Sequence, residues 1–160
     1  MSQYLFVYGT LMQSIPLNAC PAQWRQELAQ VRRELNQCAR FMGTASCLGE
    51  LFDLGGYPGL VAGKGQGTSH NRENSFRVHG ELYRIRNAKT LFNILDDFEG
   101  CTPAYPKPWQ YRRQVIPIEI VETQANIQAE TMKAWAYIYQ GSTRLKPRIP
   151  SGRFSETCQS

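Results

Sequence analysis

Hydrophobic positions along the chain change their period several times, and each change marks an element. Tyr4-Leu5-Phe6-Val7 is an unbroken apolar run that predicts a strand over 3–8. Gly9 lets the chain turn sharply after it. From Pro21 the period lengthens. Trp24, Leu28, Val31 and Leu35, followed by Cys38 or Ala39, recur at intervals of four, three and four. This single apolar stripe predicts an amphipathic helix over 21–39 that packs on the core. Pro21 suits its first turn, and Arg25, Gln26, Arg32, Arg33 and Asn36 fall on its polar face.

A short strand is predicted over 45–54, stopped by Gly55-Gly56 and Pro58-Gly59. The stretch 63–75 is poor in apolar residues and reads as a mobile surface loop. Its Gly59, Gly63 and Lys64 do not make a phosphate-binding loop: the glycines are one residue too close, and Gly65 stands where Ser or Thr must be. Over 76–85 the period is two, with Phe76, Val78 and Leu82 on one face and Arg77, His79, Glu81 and Tyr83 on the other. Residues 88–99 read as a short helix, with Asn87 as N-cap and Gly100 as stop. Alternation returns over 110–122, where Pro117 implies an edge or bulge position. A last strand is predicted over 132–139. The Pro-, Arg- and Ser-containing stretch 141–160 reads as a basic, extended and partly disordered tail after a domain spanning 1–140. Strands outnumber helices and lack regular crossover helices, so the fold class expected is α+β around a mixed, barrel-like sheet.

Composition narrows the function. The chain has 160 residues, 42% of them hydrophobic, which suits one soluble domain. No apolar run approaches the ~20 residues of a membrane span. The first residues lack the charged and apolar regions of a secretion signal, so a cytoplasmic protein is expected. Five cysteines form no C-x-x-C pair, and there are two histidines, so neither a disulfide framework nor a structural zinc site is expected. The net charge of +5 is scattered along the chain and interleaved with acids. It argues for solubility and attraction of small anions rather than nucleic-acid binding.

Two segments carry candidate chemistry. Tyr8-Gly9-Thr10-Leu11 follows the first strand, where the backbone N–H groups of 9–11 can be left free for a carboxylate or an oxyanion. Asp96-Asp97-Phe98-Glu99-Gly100 ends a helix with three acids at its negative pole. That placement and the mutual repulsion of the acids are expected to raise the pKa of Glu99 towards neutrality, where it can move protons.

In this order, six stretches resemble the γ-glutamylcyclotransferase-like (AIG2-like) family. They are Phe6 to Leu11, Leu51 to Val61, Val78 to Tyr83, Leu95 to Gly100, Tyr111-Arg112-Arg113, and Ala134 to Tyr139. The resemblance implies a small mixed β-barrel with flanking helices. It also implies cyclisation of a γ-glutamyl amine or γ-glutamyl amino acid to 5-oxoproline, with release of the amine. This ring closure calls for no cofactor and no metal; the partner expected is the small γ-glutamyl substrate. By resemblance, Glu99 is the acid/base residue and Tyr8, Gly9, Thr10 and Leu11 hold the substrate. Tyr111, through its hydroxyl, and Arg113 are further candidates for substrate binding, with Arg112 an alternative to Arg113. Glu81 is a second-tier candidate. The chain departs from the family in its long helical segment 13–42, its loop 63–75, and Phe98 where many relatives have Tyr.

Plainer readings stand beside these. Glu99 can be a solvated helix-end acid, Asp96 and Asp97 structural or surface residues, Tyr8 a core aromatic, and Gly9 a turn residue needing positive φ. Glu81 can be a surface strand residue, and Tyr57-Pro58-Gly59 a turn bordering the pocket. Cys101 with His79 as a nucleophilic pair is disfavoured, because an acidic neighbourhood opposes a thiolate. A non-catalytic binding module, or a cyclotransferase specialised for a biosynthetic intermediate, would share the same motifs.

Overall fold

The structure, a computed structural model, describes residues 3–63, 76–120 and 130–157. Most of the expected loop 63–75, residues 121–122 of the expected fifth strand, His70 and Cys158 lie outside them. In chain order the elements are β1 (Gln3–Val7), α1 (Arg25–Cys38), β2 (Ala39–Asp53), β3 (Pro58–Ala62) and β4 (Arg77–Ile85). They continue with α2 (Ala88–Phe98), β5 (Tyr111–Ile120), β6 (Glu130–Tyr139) and α3 (Phe154–Thr157).

Five strands close into a barrel in the order β2-β4-β1-β6-β5. Closure comes where β5 returns to β2, with Glu119 opposite Ser46 and Ile120 opposite Ala45. β3 adds a strand to β2. All pairings are antiparallel except β1 with β6, where Leu5 lies opposite Trp135. Leu5, Phe6, Leu82, Ile118 and Ala136 are almost wholly buried. Pro117 pairs with Lys133 of β6, on a stretch of β5 that no other strand joins, so its missing N–H breaks no ladder there.

Several elements differ from the sequence reading. β2 begins at Ala39, not 45, because residues 39–48 find partners along β4. A bulge between Phe41 and Gly43, where φ is +130°, bends it. Pro58-Gly59, read as a stop, begins β3. The expected helix over 21–39 splits into a 3₁₀ turn at Ala22–Trp24 and α1. Leu28, Val31, Leu35 and Cys38 are buried as the stripe requires, whereas Trp24 stays outside the helix and half-buried.

In β4 the alternation does not separate core from solvent: Leu82, Glu81 and Tyr83 are all buried. The second face is covered as well, Tyr83 by the Phe41 ring at 5.6 Å. The described part of the basic segment after Gly141, residues 142–157, expected within a partly disordered tail, is held on the barrel. Ile149 N–H donates to Leu51 O at 2.7 Å, His79 N–H donates to Gly152 O at 2.8 Å, and the Phe154 ring is buried. Two buried apolar side chains, Ile149 and Phe154, together with these backbone hydrogen bonds hold a stretch that is mostly polar.

Candidate active site

The C-terminal end of β1 opens into a cavity of about 240 Å³. The loop Tyr8–Leu11 forms one wall and Phe98-Glu99, at the end of α2, another. Tyr57-Pro58, Tyr111 and Tyr137 contribute from the barrel, and Trp24 and Glu27 from the α1 region.

Glu99 reaches this cavity through helix geometry. Leu91 and Leu95 are fully buried, and Glu99 follows them at the same four-residue step, so its side chain continues their face. Asn87 fixes the start of α2 by accepting from Thr90 N–H. Glu99 is the C-cap, donating its N–H to Leu95 O at 2.8 Å, and Gly100 at φ +70° ends the helix.

Burial lifts the Glu99 carboxyl from its usual value of 4.5 to about 8. The neighbouring acids were expected to do this and do not. Asp96 is neutralised by Arg113, whose Nε lies 2.9 Å from Oδ1. Asp97 is exposed and accepts from the Tyr105 hydroxyl at 3.2 Å.

Three tyrosines near Glu99 have committed hydroxyls. Tyr8 donates to Tyr137 O at 2.6 Å and accepts from Leu60 N–H at 3.2 Å. Tyr111 donates to Pro58 O at 2.7 Å, and Tyr137 to Asp96 Oδ1 at 2.7 Å. Burial pushes all three far above the usual tyrosine pKa, with Glu99 adding to the shift of each and Asp96 to that of Tyr137, so they remain neutral. The Tyr111 hydroxyl, expected to orient a substrate, therefore has only its lone pairs left to offer one.

The amides of Gly9, Thr10 and Leu11 make no hydrogen bond to another described residue. The loop is shaped from behind: Met12 N–H donates to Gly9 O at 3.0 Å, and Arg32 Nε donates to Thr10 O at 3.0 Å. Gly9 does not have positive φ; it is glycine because a Cβ there would lie 2.7 Å from Pro58 Cγ.

Two candidates stand outside the cavity wall. Arg113 does bind a carboxylate, but that of Asp96, with its guanidinium stacked on the Phe92 and Trp135 rings at 3.9 and 4.8 Å. Glu81 is buried, not a surface residue. It accepts from Gln13 N–H at 2.7 Å and Ser14 N–H at 3.2 Å, which pins the end of the Tyr8–Leu11 loop. Cys101 Sγ lies 3.9 Å from Asp96 Oδ1, and its thiol is pushed up to about 11 by burial and by Asp96 and Glu99, which rules against a thiolate. Among the described residues no three His, Cys, Asp or Glu side chains gather as metal ligands, and no helix is long and apolar enough to cross a membrane.

Sequence reasoning missed Trp24, Glu27 and Tyr137 as cavity residues. Trp24 looked like one more member of the α1 stripe, and Tyr137 like one more aromatic of a core strand. Nothing local marks Glu27.

The chain matches the family described as gamma-glutamyl cyclotransferase, AIG2-like, over residues 5–156. It is 32% identical over 153 residues to a protein of Vibrio cholerae serotype O1 named "Putative gamma-glutamylcyclotransferase", covering 95% of each chain. Among solved structures it resembles an uncharacterized protein of Pyrococcus horikoshii, with TM-score 0.53 and 24% identity over 98% of this chain and 92% of that one. It also resembles YkqA of Bacillus subtilis, with TM-score 0.52 and 21% identity over 98% of this chain and 40% of that one. These two likenesses speak to the fold, and the family match to the lineage: this chain belongs to the gamma-glutamyl cyclotransferase, AIG2-like family.

Proposed function

We propose that the protein cyclises the γ-glutamyl group of a small amide to 5-oxoproline and releases the amine, with Glu99 as both base and acid. The observation that carries this reading is the Glu99 carboxyl, raised to about 8 inside a cavity it shares with the amides of Gly9, Thr10 and Leu11, which bond to no other described residue.

The loop amides suit the substrate's α-carboxylate, a flat anion that takes two N–H donors. Glu99 as carboxylate removes a proton from the α-ammonium. The freed amine attacks the γ-carbonyl carbon, a C–N bond forms, and the carbonyl oxygen takes the negative charge. Protonated Glu99 then returns its proton to the departing nitrogen and, as carboxylate again, takes the surplus proton of the ring nitrogen, which passes to the released amine as its ammonium. The old C–N bond breaks, the carbonyl re-forms, and 5-oxoproline and the amine leave. A group with a pKa near that of an amine serves both steps better than an ordinary glutamate. Holding a flexible glutamyl chain folded can contribute several kcal/mol more, on the order of what oriented intramolecular reactions gain.

The test is 5-oxoproline release, by mass spectrometry, from γ-glutamyl dipeptides, glutathione and ε-(γ-glutamyl)lysine. Wild type should release it, and Glu99→Gln, folded by circular dichroism, should lose about 10²-fold or more. Equal release by the variant removes Glu99 from the role. No release by either protein leaves a specialised substrate or a binding function on the same cavity.

A further inference from the structure

Arg32 falls on the polar face of the α1 stripe, where a solvated side chain is the ordinary outcome. In the structure it is half-buried, and its guanidinium is directed at main-chain carbonyls. Nε donates to Thr10 O at 3.0 Å, one terminal nitrogen donates to the same oxygen, and the other donates to Ile15 O at 2.8 Å. Among the described residues it pairs with no carboxylate. Arg32 is not part of the cavity wall, whereas Thr10 and Leu11 are.

The peptide joining Thr10 to Leu11 is planar and trans, so its C=O and N–H point in opposite directions. With Thr10 O turned to Arg32, Leu11 N–H points away from it. Leu11 is buried, and its amide meets no acceptor among the described residues. A buried donor without an acceptor at a cavity wall marks a place for a ligand's oxygen. Two bonds from a cation to the carbonyl draw electrons through the amide and make its N–H a stronger donor, as hydrogen bonds in a chain polarise one another. The preceding peptide differs. Gly9 O accepts from Met12 N–H at 3.0 Å, so Thr10 N–H is backed by a neutral donor.

We infer that Arg32 is a positioning residue for a bound carboxylate: through Thr10 O it holds and polarises the Leu11 N–H, and so sets the preference of the cavity for an anion over its neutral analogue. This rests on the cyclisation reading above in placing the α-carboxylate at the loop amides. Glu81 holds the same segment by Gln13 N–H and Ser14 N–H, outside the cavity wall, and so supplies shape without this polarisation.

The test compares 5-oxoproline with 5-oxoprolinamide, which differ in one carboxylate, by amide NMR titration of wild type, Arg32→Met and Arg32→Lys. In wild type, 5-oxoproline should bind more tightly than the amide and move the Leu11 amide proton downfield further than those of Gly9 and Thr10. Arg32→Met should weaken 5-oxoproline by about five- to ten-fold and 5-oxoprolinamide by less than about two-fold. The Leu11 proton of the free protein should move upfield in that variant. Arg32→Lys, which keeps the charge and one donor, should restore part of the preference. A loosened loop alone would weaken both ligands equally. That result, no binding of 5-oxoproline to wild type, or a Leu11 proton unmoved in wild type overturns the inference. The wild-type titration decides even where Arg32→Met fails to fold. The reaction is judged apart, by 5-oxoproline release. Carboxylate preference without release keeps the role of Arg32 and removes the cyclisation, and release with both ligands weakened equally does the reverse.

Discussion

Arg113 and Asp96 form a forked pair, Nε to Oδ1 at 2.9 Å and one terminal nitrogen to Oδ2 at 3.3 Å, and Asp96 stands three residues before the acid that lines the cavity. The pair divides three consecutive-looking acids into three roles. Asp96 is neutralised within the fold, Asp97 is turned to solvent, and Glu99 is left in the cavity without a charged partner among the described residues. Its high pKa is therefore a matter of burial.

Asp96→Asn should separate structure from chemistry. It removes the charge partner of Arg113 and weakens the acceptor for Tyr137, at a cost of about 2 kcal/mol in urea denaturation. The acid limb of the activity profile should stay near pH 8, because Asp96 is not what raises Glu99. A limb that moves down by a full unit would show repulsion at work.

The pH dependence of stability has a definite sign. The folded-state value of Glu99, about 8, exceeds the usual 4.5. Folded protein thus keeps a proton that the unfolded chain gives up between those values. The stabilising contribution is complete below about pH 4.5 and is lost as pH rises to about 8. Glu99→Gln should therefore stabilise the protein more at pH 9 than at pH 5, by about 1–3 kcal/mol after allowance for its partial exposure. Denaturation at the two pH values checks this, and kcat/KM of wild type should rise through about pH 8 as the carboxylate forms.

Gly9→Ala should displace the Tyr8–Leu11 loop, since the new Cβ meets Pro58 Cγ at 2.7 Å and Cδ at 2.9 Å. A stability loss of about 1–3 kcal/mol is expected from overpacking, with a larger proportional loss in kcat/KM. Adding Pro58→Ala should recover part of both, and the coupling in that double-mutant cycle is the measurement.

Glu81→Ala should act on the same loop from outside the cavity. Two backbone donors, Gln13 N–H and Ser14 N–H, lose their acceptor, which costs about 1–3 kcal/mol. Substrate affinity should fall through the loop, so KM rises. Glu81→Gln keeps one acceptor oxygen and should recover much of the loss. Equal effects of the two substitutions would count against a hydrogen-bonding role.

How far the chain could be read without its structure differs from residue to residue. The apolar run of β1, the α1 stripe and the Asn87-to-Gly100 helix were legible because each is a local pattern with local signals at its ends. Glu99 was legible as a candidate, for a reason that turned out incomplete. The four-residue step from Leu91 through Leu95 already aimed it at the core, whereas the reading leaned on its acidic neighbours. The first six residues of β2 were missed, because their partner, β4, lies some forty residues away and their own composition is mixed.

By itself the sequence determined β1, α1, α2 and the later strands in their order, and the family, since periodicity and ordered motifs are properties of the chain as a line; it did not determine β3 or α3. Tertiary structure decided which polar groups lose water and which find partners. It buried Glu81 under Gln13 and Ser14, paired Arg113 with Asp96, docked Ile149 and Phe154 on the barrel, and left Glu99 and Glu27 in one cavity. Those outcomes depend on contacts between residues far apart along the chain, and no local pattern of hydrophobic and polar positions carries them.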